Sequence, residues 1–225
     1  MVAGAPVTGI AAEKIQRRVA PPADGDIRRF RTGDSSQTRA QALRRGTLVH
    51  RLLQSLPDVA AERRRDASLN FLRRNAGDWS AGDHEALATK VLDLIGDARF
   101  AAVFGEGSRA EVPIVGRLER SDGASMLVSG QIDRLVVTDT EVLIVDFKTN
   151  QSPPDSATDA PAAYIRQLAL YRAVLALLYP QRPIRTALLW TETPELMEIL
   201  PSALDAALAS ITDGRSKLDP ATTRS

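Results

Sequence analysis

The chain has 225 residues, of which 44% are hydrophobic, 25% charged and 4% aromatic, a globular composition with room for one domain and tails. Its 29 Lys and Arg against 28 Asp and Glu leave a formal charge of +1, which excludes a coat protein that binds polyanions by bulk charge. Cysteine is absent, so disulfides, thiolate zinc sites, cysteine-ligated iron–sulfur clusters and a cysteine nucleophile are excluded, and any metal must take oxygen and nitrogen ligands.

The charge is unevenly spread. Residues 1–75 carry 15 basic and 7 acidic side chains, net +8, and the remainder is net −7. No window supplies the roughly 18 uninterrupted apolar residues of a membrane span, and the opening MVAGAPVTGIAAEK lacks the basic region of a signal peptide. The expectation is a cytoplasmic protein without a membrane partner.

In chain order, residues 1–34 are rich in Ala, Pro, Gly, Asp and Arg without periodicity, and read as a flexible lead or linker. From Ser35 or Ser36, apolar Leu43, Leu48, Val49, Leu52, Leu53 and Leu56 predict an amphipathic helix that Pro57 stops. A second helical pattern runs from about Asp58 to Asn75, and a third from Ser80 to Ile95 with Gly96 at its end. The period then changes to two. Segments 109–120 and 125–137 alternate around the turn Ser121-Asp122-Gly123, predicting a hairpin. VLIVDF at 142–147 is almost continuously apolar, as a central strand buried on both faces is. A long helix over APAAYIRQLALYRAVLALLY, strands near 185–190 and 195–200, a helix at about 202–212 and a polar tail over 214–225 complete the plan. This order predicts an α/β mixed sheet with helices on both faces, in one domain over 35–213.

The chemistry concentrates in two successive strands, Gly130-Gln131-Ile132-Asp133 and Val145-Asp146-Phe147-Lys148. Residues two apart on a strand share a face, so Asp146 and Lys148 point one way while Phe147 turns into the packing. The separation of Asp133 from Asp146 lets the strands pair through the 138–140 turn with the two acids side by side. Crowded carboxylates repel unless a cation intervenes, and a hard divalent ion, Mg²⁺ or Mn²⁺, supplies one. Such an ion suits phosphodiester hydrolysis, with Lys148 orienting water or neutralising developing charge. The competing reading is that Asp146 and Lys148 are only the solvent-facing end of a buried strand.

These strands, followed by Gln167 and Tyr171 in YIRQLALY, resemble the PD-(D/E)XK nuclease superfamily, specifically the RecB and AddA type of nuclease domain, over about residues 36–200. LLWTETPEL also resembles the end of AddA chains. The resemblance implies a three-layer restriction-endonuclease-like fold with a central sheet of about five strands, and a DNA exonuclease or endonuclease that processes double-strand breaks in recombinational repair. It implies His50, in Gly46-Thr47-Leu48-Val49-His50, as a metal ligand together with Asp133, Asp146 and the Phe147 carbonyl. Lys148, Gln167, Tyr171 and, in a supporting role, Glu111 are the implied catalytic residues. DNA as a single strand fed from a duplex end, upstream helicase domains of the same polypeptide and an AddB-like subunit are the implied partners.

Each residue also has a plainer reading. His50 alone is a surface or packed helix residue, and His84, which matches nothing, reads as surface. Glu111 can be a strand-end charge. Tyr164, Leu168, Tyr171, Leu175 and Leu178 form a buried stripe that would account for Tyr171 by packing. Arg44-Arg45, Arg51, Arg63-Arg64-Arg65 and Arg73-Arg74 can contact phosphates or a neighbouring domain, or be solvated faces. A nuclease fold without catalysis, serving as a DNA-binding or structural module, and a stand-alone nuclease are the alternatives.

Overall fold

A computed structural model describes residues 36–149 and 153–213. The expected lead over 1–34, the cap at Ser35 and the tail over 214–225 lie outside the described residues.

Helix α1 spans Ser36–Ser55. Leu48, Val49, Leu52, Leu53 and Leu56 are buried as the helical spacing requires, whereas Leu43 stays exposed. The expected second helix is broken. Single 3₁₀ turns at Leu56–Asp58 and Ala61–Arg63 precede α2, Arg64–Asn75. Pro57 opens the first of these turns, and Val59 and Ala60 then leave the helical conformation with ψ of 139° and 136°, which interrupts the expected run from Asp58. Helix α3, Ala81–Gly96, begins with a reciprocal capping box between Ser80 and Asp83. A short helix α4, Ala101–Phe104, has no counterpart in the sequence expectation.

Five strands make one mixed sheet in the order β1-β2-β3-β4-β5. They are β1 Ser108–Glu119, β2 Ser125–Val137, β3 Val142–Lys148, β4 Ile184–Trp190 and β5 Glu195–Glu198. Only β3 and β4 pair in parallel, and their connection carries α5, Ala162–Leu178, as a parallel crossover must. The last strand stops at Glu198, earlier than expected, because Pro201 opens α6, Pro201–Thr212.

The sheet divides the core into two layers. On one face α1 to α3 pack with Phe100 and Val103 against Val136, Leu143, Val145 and Phe147. On the other, α5 and α6 pack against Ile114, Val128, Ile132, Ile144 and Leu188. Every residue of β3 is buried, as expected of a strand covered on both faces. Leu178 departs from the expected stripe of α5 and is exposed, while Val174 takes part in the core. No helix among the described residues is long and apolar enough to cross a membrane. The architecture is that of a restriction-endonuclease-like α/β fold.

Candidate active site

The site lies where β2 and β3 part. Their ladder ends at Arg134 with Val145, so the next backbone groups of β3 that face β2, the N–H and C=O of Phe147, have no strand partner. Side chains take both. Asp133 Oδ2 accepts the Phe147 N–H at 2.7 Å, and His50 Nε2, reaching over from α1, lies 3.2 Å from the Phe147 carbonyl oxygen. That contact is a hydrogen bond in the tautomer with the proton on Nε2. His50 Nδ1 is 3.9 Å from Asp133 Oδ2, and the imidazole meets the Phe147 ring edge-on, centroids 5.7 Å apart. Gly46 makes this approach possible, because a Cβ there would come within 2.7 Å of Thr149 Oγ1.

A break in strand alternation turns Asp133 toward the site. Ile132 and Leu135 both face the α5 layer, although residues three apart on a regular strand face opposite ways. Arg134 instead lies over the Phe104 ring on the other side, 5.6 Å from its centroid. The β1–β2 register runs unchanged through this point, from Ala110 with Arg134 to Val112 with Ile132. The break is therefore shared by both strands. Its signature on β1 is Glu111, which sits inside the strand with φ of 53°, a left-handed conformation that non-glycine residues seldom adopt. Gln54 of α1 donates to Glu111 Oε1, and Gln131 Nε2 donates to its carbonyl at 3.3 Å. Glu111 is thus no strand-end charge, and Gln54 is a neighbour of the site that the sequence reading did not single out.

Asp146 and Lys148 occupy the α5 side of the sheet. Both are buried, at 5% and 4% exposure, which removes the reading of a solvent-facing strand end. Lys148 Nζ is 2.6 Å from Asp146 Oδ2, and Gln167 Nε2 donates to Asp146 Oδ1 at 3.0 Å. Gln167 also lies 3.4 Å from the Tyr171 hydroxyl. Burial raises the Tyr171 pKa above its ordinary value, opposed by the Gln167 hydrogen bond, so the hydroxyl is neutral at physiological pH. Gly130 on β2 leaves room for it, since a Cβ there would collide with the Tyr171 hydroxyl and ring. Tyr171 is accordingly both a core residue and a polar group at the site.

The donor types suit a hard divalent cation: two carboxylates, one carbonyl oxygen and one imidazole. Asp146 Oδ2 is buried 2.6 Å from the Lys148 ammonium and, among the described residues, has no further hydrogen-bond partner. The groups form two adjacent sets, Asp133 with His50 around Phe147 and Asp146 with Lys148 and Gln167. Among the described residues no three His, Asp or Glu side chains close on one point.

One expectation changes. His84 is buried, not on the surface, and its Nε2 lies 2.7 Å from the Ala76 carbonyl oxygen, tying α3 to the end of α2. Several arginines are engaged within the fold: Arg44 pairs with Asp78 and Arg45 with Glu192. Arg65 pairs with Glu85, and Arg64 donates to the carbonyls of Pro57 and Val59.

No curated protein gives a significant match. A solved structure titled "Crystal structure of SSO0001" is similar at 14% identity and a TM-score of 0.34, over 77% of this chain and 87% of the other, a likeness too loose to argue from. The profile of the PD-(D/E)XK nuclease superfamily matches residues 25–218, far more than half of the chain and the whole of the sheet and site. This chain belongs to the PD-(D/E)XK nuclease superfamily.

Proposed function

We propose that the chain is the divalent-metal-dependent DNase domain of an AddA-like helicase–nuclease, hydrolysing phosphodiester bonds during double-strand break processing and recombinational repair. In this reading residues 1–34 tether it to upstream helicase domains, an AddB-like subunit accompanies it in the cytoplasm, and a single strand from a duplex end is its substrate. The observation that carries the reading is the buried Lys148–Asp146 pair, 2.6 Å apart, directly next to the Asp133–Phe147–His50 cluster. A buried ion pair seldom adds net stability, so its place at a strand terminus points to chemistry.

His50, Asp133, Asp146 and the Phe147 carbonyl would hold Mg²⁺ or Mn²⁺. When bound, the cation would polarise the phosphodiester and lower the pKa of water. The chain's own residues do the rest. Lys148 orients the attacking water and offsets negative charge developing on the phosphate. Gln167 fixes the Asp146 carboxylate through its amide and, with the neutral Tyr171 hydroxyl, orients the strand. Glu111, held by Gln54, adds negative charge at the edge of the site.

The test is cleavage of linear single-stranded DNA with Mg²⁺ or Mn²⁺ by the full chain. Asp146→Ala and Lys148→Ala are each expected to lower the rate about 100-fold or more. Activity that survives both substitutions, or DNA binding by the wild type without cleavage even when it is joined to a helicase, would sink the reading.

A further inference from the structure

Lys148 is the least constrained kind of group for its place: a flexible four-carbon stem ending in a compact charge, buried in the α5 layer. Its ion pair with Asp146 cannot anchor it under all conditions, because a cation taken up by the Asp146 carboxylate competes for the same oxygens. The structure supplies a second anchor. Lys148 Nζ sits 3.8 Å from the centroid of the Tyr164 ring, well inside the range of a cation–π contact. Tyr164, on the first turn of α5, is itself buried. Trp190 packs against the Tyr164 ring at a tilt, with ring centroids 6.4 Å apart. Trp190 is the register partner of Lys148 across the parallel β3–β4 pair, so its side chain rises from the sheet next to the lysine. One ring thus faces the ammonium and a second holds that ring in place, all away from solvent, where a cation–π attraction is strongest.

We propose that Tyr164, backed by Trp190, is a positioning residue that holds the Lys148 ammonium at the site through its ring face, independently of the Asp146 carboxylate. The role of Lys148 in cleavage rests on the nuclease reading above, whereas the contact itself does not. The two parts are read separately.

The chain has four lysines, so an NMR spectrum of protein labelled with ¹³C-lysine is simple, and Lys148→Arg assigns the signal. In the wild type the Lys148 Cε–Hε resonance is expected upfield of the other three by ring current. Tyr164→Phe keeps the ring and should preserve the displacement, while Tyr164→Met, similar in bulk and adaptable in packing, should abolish it. With single-stranded DNA and Mg²⁺, Tyr164→Met is expected to lower kcat roughly tenfold with KM changed less than twofold, and Tyr164→Phe to restore kcat. A wild-type Lys148 signal without ring-current displacement would overturn the proposal even if Tyr164→Met fails to fold. Equal loss of kcat in the Phe and Met variants would overturn it too, since it would assign the effect to the hydroxyl. A displaced Lys148 signal in a protein that cleaves nothing would sustain the anchor and defeat the nuclease reading alone.

Discussion

Asp133 Oδ2 accepts the backbone N–H of Phe147 at 2.7 Å, so at the site a side chain stands in for the hydrogen bond that the β2–β3 ladder no longer makes. The same carboxylate proposed above as a metal ligand is therefore also a strut of the fold, and the two roles would respond differently to substitution. Asparagine keeps an acceptor oxygen for the Phe147 N–H but gives up the negative charge. Alanine gives up both and leaves a partly buried N–H without a partner, which costs about 1–3 kcal/mol. Chemical denaturation is expected to place Asp133→Asn close to wild type and Asp133→Ala lower by about that amount, with DNA cleavage lost in both.

Arg134 is 1% exposed, yet its Nε and Nη1 have no hydrogen-bond partner among the described residues. Burial pushes its pKa below the ordinary guanidinium value, opposed by the charge of Asp58. Its contact with the Phe104 ring is a partial offset only. Replacing a poorly satisfied buried charge with an apolar side chain of similar length is commonly neutral or stabilising. Arg134→Met is accordingly expected to melt at or above the wild-type temperature, and a clear drop in thermal denaturation would show that the guanidinium supports the structure.

Tyr171 makes a pH prediction with a definite sign. Its pKa is raised in the fold, chiefly by burial, so the folded state binds the phenolic proton more tightly than the unfolded chain. The corresponding stability is fully present below the unfolded pKa of about 10 and is lost as pH rises through the folded value. The chain has three tyrosines. In absorbance titration at 295 nm, Tyr171→Phe should remove a step above about pH 10, and the variant's stability should fall less steeply with alkali than that of the wild type. An unchanged titration curve would contradict the buried hydroxyl.

Much of the fold was legible in the sequence because periodicity is a local property. The alternation of 109–120 and 125–137 and the apolar run 142–147 came close to β1 to β3, and the expected start at Ser80 and stop at Pro57 fell close to helix ends. The continuous helix over 58–75 is interrupted because Val59 and Ala60 are extended between two 3₁₀ turns, which resets the helical phase. His84 was misread for a different reason: its burial depends on the Ala76 carbonyl lying over α3, and no helical pattern encodes a polar core residue.

The residues of the site divide in the same way. Spacing alone put Asp146 and Lys148 on one strand face and Gln167 and Tyr171 on one helix face, while the roles of Gln167, Tyr171 and His50 came from the resemblance. The order of elements and the chemical class of the donors were thus present in the linear chain. Folding alone decided the rest: that Asp133 caps Phe147, that His50 meets its carbonyl across 97 residues, that Gln54 reaches Glu111 across 57, and that Tyr164 covers Lys148. Those pairings arise where two strands separate and a helix from the opposite layer supplies the missing partners, and contacts of that range depend on how whole elements pack.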